Sequence, residues 1–170
     1  MNLEEIVNPN NVLCNVSARS KKHCLEILSE LLTRSNPDIA SEEVFAKLVE
    51  RERLGCTCLE KGIAFPRCRI RGLQSSCAAL MRLTDPVDFD SISSESVDLV
   101  FGLMVPEHLS DADNADIKAL TEILRDPTLC ARLRAATSST DLSAALLTGH
   151  WNPSPNSTAR NAASRGASEQ

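Results

Sequence analysis

Apolar residues recur at three- and four-residue spacing after Ser20, at Cys24, Ile27, Leu28, Leu31 and Leu32, until Asn36-Pro37 ends the pattern. The spacing predicts an amphipathic helix covering a core. A second helix is expected from Ser41, which can cap it. Glu42 and Glu43 suit the positive end of its dipole, and Val44, Phe45, Leu48 and Val49 form its apolar stripe. Two later runs lack helical spacing. Residues 77–83 are bounded by Gly and Pro signals and are short enough for a strand. Residues 97–105 are nearly continuously apolar up to Pro106, as expected of an interior strand covered on both faces and hence of the centre of a sheet. Residues 12–16 admit either a short strand or an extended arm.

Three helical patterns follow. The first carries Ile117, Leu120, Ile123 and Leu124 on one face, with Asp111, Asp113 and Asp116 near its N-terminal end. The second opens with Asp126 as cap and Pro127 in the first turn, and buries Leu129, Cys130 and Leu133. The third runs from about Thr140 through Leu142, Ala145 and Leu146 to Gly149. Strands interleaved with helices on both faces indicate an α/β fold, a single domain with a mixed β-sheet. That domain is expected to span residues 1–149. Beyond it the composition turns to Asn, Ser, Pro, Ala and Gly with one large apolar residue, Trp151, so residues 150–170 are expected to form a disordered tail.

A 170-residue chain that is 42% hydrophobic has material for one ordinary core. Its net charge of −5 and the lack of a basic stripe argue against nucleic acid or an anionic membrane as partner, and point to a protein instead. No apolar run reaches the length of a membrane span and no secretory leader opens the chain, so a cytoplasmic location is expected. The seven cysteines are odd in number and scattered, which does not read as a disulfide framework.

Candidate chemistry concentrates in residues 51–67, RERLGCTCLEKGIAFPR. Gly55, Gly62 and Pro66 fix the backbone here and present Arg67, a permanent cation able to bind an oxyanion but unable to accept a phosphoryl group. The order Arg-Glu, two residues, Gly, a small residue, Thr, four residues, Gly-Ile-Ala-apolar-Pro resembles the signature of the fructose/mannitol-type IIA proteins of the bacterial phosphotransferase system. The nitrogen-regulatory, PtsN-like branch is the most similar. Residues 85–90, 97–106 and 129–136 are similar to that family's corresponding stretches, in the same order.

The resemblance implies the fructose/mannitol-type IIA fold and a site built on a phosphorylated histidine, a second histidine, an arginine and hydroxyl donors. Here the arginine is Arg51 and the hydroxyl Thr57, while Arg67 stands at the acceptor position and Asp113 near the second histidine position. The three histidines are His23, His108 and His150, none at a matching place. A pair between Arg67 and Asp113 would fill the site with the charges a phosphohistidine would bring; Asp113 could equally decorate a helix terminus. The expected protein is therefore a regulatory binding protein not phosphorylated at the usual position, with Arg51, Thr57 and Arg67 as its oxyanion-binding or partner face. The partners this implies are an HPr-type phosphocarrier protein and regulatory targets, with no cofactor.

Three alternatives stay open. Cys68 adjoins Arg67, whose charge would favour a thiolate nucleophile able to carry the phosphoryl group in an active transfer protein. Cys56-x-Cys58 with Cys68 is a poor match to metal-ligand spacing, and no metal site is expected. Arg51, Arg67, Arg69 and Arg71 would suit a small-anion receptor, although alternation at 67, 69 and 71 equally fits the solvated face of a strand.

Overall fold

The computed structural model describes residues 1–93 and 95–148. The chain runs α1 (Leu3–Ile6), β1 (Val7–Val16), α2 (Lys21–Thr33), α3 (Ser41–Leu54), β2 (Ile63–Ala64), β3 (Arg67–Ile70), β4 (Cys77–Asp88), β5 (Ser96–Pro106), α4 (Asp111–Leu124), α5 (Pro127–Ala135) and α6 (Ser139–Leu147). The expectations placed on Gly149, His150, Trp151 and the tail lie outside the described residues.

The apolar run of β5 is the hub of a mixed sheet. It pairs antiparallel with β4 on one side, and on the other it is flanked in parallel by β2 at Leu99–Val100 and by β3 at residues 103–106. β1 completes the sheet by pairing in parallel with β4. Alternate residues of the central strands point to opposite faces. Leu80, Leu99, Phe101 and Leu103 join Leu120, Leu124, Leu129, Leu133, Leu142 and Leu146 in one core, under α4, α5 and α6. Ala79, Met81, Val100 and Met104 join Leu28, Leu32, Val44 and Leu48 in the other, under α2 and α3. Each such fully buried large side chain contributes about 1.5–3 kcal/mol relative to exposure.

Several expectations are corrected. Ser41 is the first helical residue and not the cap: Ala40 holds the cap position and offers no side-chain bond. Its carbonyl takes the Glu43 and Val44 amides, leaving Glu42 and Glu43 to compensate the first turn by charge. The weakly signalled N-terminus is a ten-residue strand preceded by a single turn of helix. β4 continues past Leu83 to Asp88, and Pro86, which has no amide to donate, falls within the irregularity between Arg82 and Val87. Asp126 caps α5 as expected, accepting from the Thr128 amide at 2.9 Å.

Candidate functional site

The loop after α3 folds back on itself before entering β2. Cys58 bridges Ala64, the Leu59 amide donates to the Ile63 carbonyl at 2.8 Å, and the Phe65 amide donates to the Thr57 carbonyl at 2.9 Å. The reversal needs left-handed backbone at Lys61 (φ 64°) and Gly62 (φ 80°). Gly62 is further constrained by space, since a Cβ there would stand 3.1 Å from both the Ser96 carbonyl and Arg134 Nη2. Gly55 is extended at φ 163° and requires no glycine on that ground. Beyond the turn, the Pro66 carbonyl accepts the Leu103 amide at 3.0 Å, so β2 and β3 run as one interrupted strand along β5.

That pairing fixes Arg67 opposite Leu103. Its guanidinium lies 5.1 Å above the Phe65 ring, and Nη1 donates to the Phe65 carbonyl at 3.4 Å. Phe65 is itself fully buried, edge-on to Phe101 at 5.6 Å. The cation therefore sits on a rigid aromatic platform. Burial, and then the like charge of Arg51, lower its pKa, with Glu52 acting in the opposite direction; a guanidinium so placed still carries its charge near neutrality.

Arg67 opens into a groove of about 800 Å³. The last turns of α3 supply Lys47, Glu50, Arg51 and Leu54; β3 supplies Arg67, Cys68 and Arg69; Val105, Leu109 and α4 residues Asn114, Ile117 and Lys118 close the other wall. Five cations thus face a single carboxylate, Glu50, which lies 3.5 Å from Lys47. Among the described residues no carboxylate forms an ion pair with Arg51 or Arg67. Arg51 Nη1 donates to the Gly55 carbonyl at 3.1 Å. Leu54 is an exposed apolar residue at the rim.

Of the residues singled out in the sequence, the fold brings together Arg51, Arg67, Arg69 and Cys68. Thr57 is elsewhere: it is buried, its hydroxyl donates to Glu52 Oε1, and its amide lies 3.4 Å from Glu52 Oε2. The hydroxyl proton that an oxyanion would need is thus already engaged. Asp113 accepts from the Ser110 amide at 3.1 Å and the Ser110 hydroxyl at 2.9 Å, closing a capping box on α4, so its carboxylate serves the helix terminus and not Arg67. Cys68 lines the groove but is buried, and burial pushes its thiol up to about 12, the reverse of the activation expected from a neighbouring guanidinium. The alternation at 67 and 69 is the outward face of β3, with Cys68 and Ile70 turned inward, while Arg71 lies past the strand end, exposed in the following turn and outside the groove lining. His23 accepts the Arg19 amide on Nδ1 at 3.1 Å, and His108 is exposed outside the groove lining. Among the described residues, no three His, Cys, Asp or Glu side chains converge as metal ligands would.

Sequence reasoning missed Lys47, Asn114 and Lys118. Asn114 and Lys118 are four residues apart in α4, so their shared face was readable from helical period, but nothing in the sequence paired that face with α3.

Residues 5–148 match the family model described as phosphoenolpyruvate-dependent sugar phosphotransferase system, EIIA 2. The chain belongs to this family. Within it, the chain is 39% identical over 134 residues to the nitrogen regulatory protein of Pseudomonas aeruginosa, covering 79% of this chain and 87% of that one. It is 32% identical over 143 residues to the nitrogen regulatory protein of Escherichia coli, covering 84% and 87%. Nitrogen regulatory protein IIA-Ntr from Neisseria meningitidis superposes with a TM-score of 0.78 at 28% identity, covering 85% of this chain and 98% of that one. The chain is thus a nitrogen-regulatory IIA-type member of the EIIA 2 family, with arginine after the proline of the loop.

Proposed function

We propose that this nitrogen-regulatory IIA-type protein acts by binding a protein partner in the groove beside Arg67, without accepting a phosphoryl group there. One observation carries the reading: a guanidinium, which has no nucleophilic lone pair near neutrality, is seated firmly on Phe65 at the point the family resemblance assigns to the acceptor. The partners fitting this reading are an HPr-type phosphocarrier and regulatory target proteins, met in the cytoplasm. The described residues contain no helix long and apolar enough to cross a membrane. A structure related in fold is a complex of Escherichia coli mannitol IIA with phosphorylated IIB. The cation excess of the groove suits an acidic or phosphorylated partner surface, since each charge-assisted hydrogen bond contributes about 1.5–3 kcal/mol. Arg51 and Arg67 serve as the oxyanion-binding pair of that face, while Thr57, outside the groove, holds the loop through its carbonyl to the Phe65 amide. Transfer through Cys68 is disfavoured by its burial and raised pKa.

The test is incubation with phosphoenolpyruvate, the first enzyme of the phosphotransferase chain and the phosphocarrier, read by intact mass. An unmodified chain that still binds the carrier is the expected result. A chain carrying an added phosphoryl group overturns the proposal, and mapping at Cys68 or His108 would identify the alternative acceptor.

A further inference from the structure

Cys56 is the exposed cysteine among the seven; Cys58 and Cys14 are half-buried, and Cys24, Cys68, Cys77 and Cys130 are buried. The exposed thiol therefore stands two residues from another that solvent still reaches. The Cys58 amide points at Cys56 Sγ at 3.4 Å, and Cys56 Sγ lies 3.5 Å from the Phe89 carbonyl, which also accepts Lys21 Nζ at 3.2 Å. Residues two positions apart are separated by at most about 7 Å between Cα atoms, close to the ~4.4–6.8 Å a disulfide spans.

We propose that Cys56 and Cys58 form a reversible oxidation site that closes to a disulfide on reaction with a hydroperoxide. Cys56 thiolate attacks one peroxide oxygen and breaks the O–O bond; Cys56 becomes a sulfenic acid and the other oxygen leaves as water or alcohol after protonation. Cys58 thiolate then attacks Cys56 Sγ, the S–S bond forms, and the sulfenic oxygen departs as water. Two thiols lose two electrons and two protons, and the peroxide takes both. The order of events follows from position: Cys56 is accessible and Cys58 shielded. Burial, and then Cys56 and Glu52, raise the Cys58 pKa, whereas Lys21 lowers it; oxidation of Cys56 changes the second of these influences and leaves burial in place.

The ring would close around Thr57, whose side chain binds Glu52 and whose carbonyl holds Phe65, two residues before Arg67. The inference needs only the loop geometry and stands apart from the groove's proposed role.

The full chain is treated with a small excess of hydrogen peroxide, free thiols are alkylated, and digests are mapped by mass. The expected result is loss of two hydrogens confined to the peptide holding Cys56 and Cys58, reversed by dithiothreitol and abolished by Cys56→Ser or Cys58→Ser. In Cys58→Ser, Cys56 should instead persist as a sulfenic acid that dimedone traps. Sulfinic acid on Cys56 of the native chain with no cross-link, a bridge from Cys56 to Cys14 or to a buried cysteine, or an unoxidised pair would each overturn the assignment.

Discussion

Lys21 Nζ, at the start of α2, lies 2.9 Å from Glu52 Oε2 in the last turn of α3, and the other oxygen of that carboxylate takes the Thr57 hydroxyl. This junction ties two helices to the root of the loop that carries Arg67. Glu52 is buried, with Lys21 only partly exposed, so removing the carboxylate strands an ammonium and a hydroxyl together. Glu52→Ala should cost about 3 kcal/mol, at the lower end of the range for a broken buried pair. Glu52→Gln, which can still accept from Thr57, should recover part of that loss. Urea unfolding of the two variants decides it: equal, negligible losses would mean the junction is solvated in practice.

Alkaline stability follows from the buried thiols. Burial pushes Cys24 and Cys68 up to about 12 from an ordinary value of 9.0. Above the unfolded value the unfolded chain releases these protons while the folded chain keeps them, so stability falls as pH rises from about 9 to 12. Each thiol adds a slope of about 1.4 kcal/mol per pH unit in that window. Lys21 acts in the same direction, because its pKa is raised on balance: burial lowers it, while the hydrogen bond and charge of Glu52 raise it more. Its contribution is complete below the unfolded value and lost as pH passes the folded one. Urea midpoints across this range should fall less steeply in Cys24→Ala and in Cys68→Ala than in the parent, and an unchanged slope in both would contradict the assignment.

Gly102 of β5 packs directly against Leu28 of α2. A Cβ there would lie 2.5 Å from both methyl carbons of Leu28, which is itself fully buried. Gly102→Ala should therefore destabilise by about 2 kcal/mol through overpacking. Leu28→Ala alone should cost about 3 kcal/mol through the cavity it leaves. Combined, the two should cost clearly less than their sum, since the added methyl enters the vacated space. Additive losses in a thermal or urea double-mutant cycle would show that the contact is not the cause.

Much of this arrangement was readable in the sequence, and the failures have physical causes. The long apolar run at 97–105 is the interior strand β5, as expected, and the turn ending at Pro66 leads directly into Arg67 at the start of β3. The strand option at residues 12–16 holds, but the first half of β1 escaped because Asn8, Pro9, Asn10 and Asn11 interrupt its alternation; its pairing with β4 has register shifts, and Asn15 adopts φ 58°. Glu52, in the sequence Arg-Glu-Arg, has the signature of a solvated helix residue, and only the fold turns it inward toward Lys21, 31 positions earlier in the chain. Thr57 was legible as a hydroxyl of the loop, but its hydrogen-bond partner was not, because that partner is Glu52, whose burial nothing in the sequence signals.

Asp113 separates the two roles a carboxylate could have near the groove. Its Oδ2 closes a capping box with Ser110, and the α4 residues that do line the groove are Asn114, Ile117 and Lys118. Asp113→Ala should lower stability by about 1 kcal/mol, the usual worth of a lost cap, or about 2–4 °C in melting temperature. Binding of an HPr-type phosphocarrier should stay unchanged in the same variant. Arg51→Ala and Arg67→Ala should show the converse: near-native melting for Arg51→Ala, whose side-chain hydrogen bond among the described residues goes to the exposed Gly55 carbonyl, and carrier binding weaker by about tenfold or more in each, equivalent to ~1.4 kcal/mol. Calorimetric titration alongside melting of the three variants tests both at once. Tighter binding by Asp113→Ala at unchanged stability would place that carboxylate in the groove, opposing an anionic partner, and would return Asp113 to the site from which its hydrogen bonds now remove it.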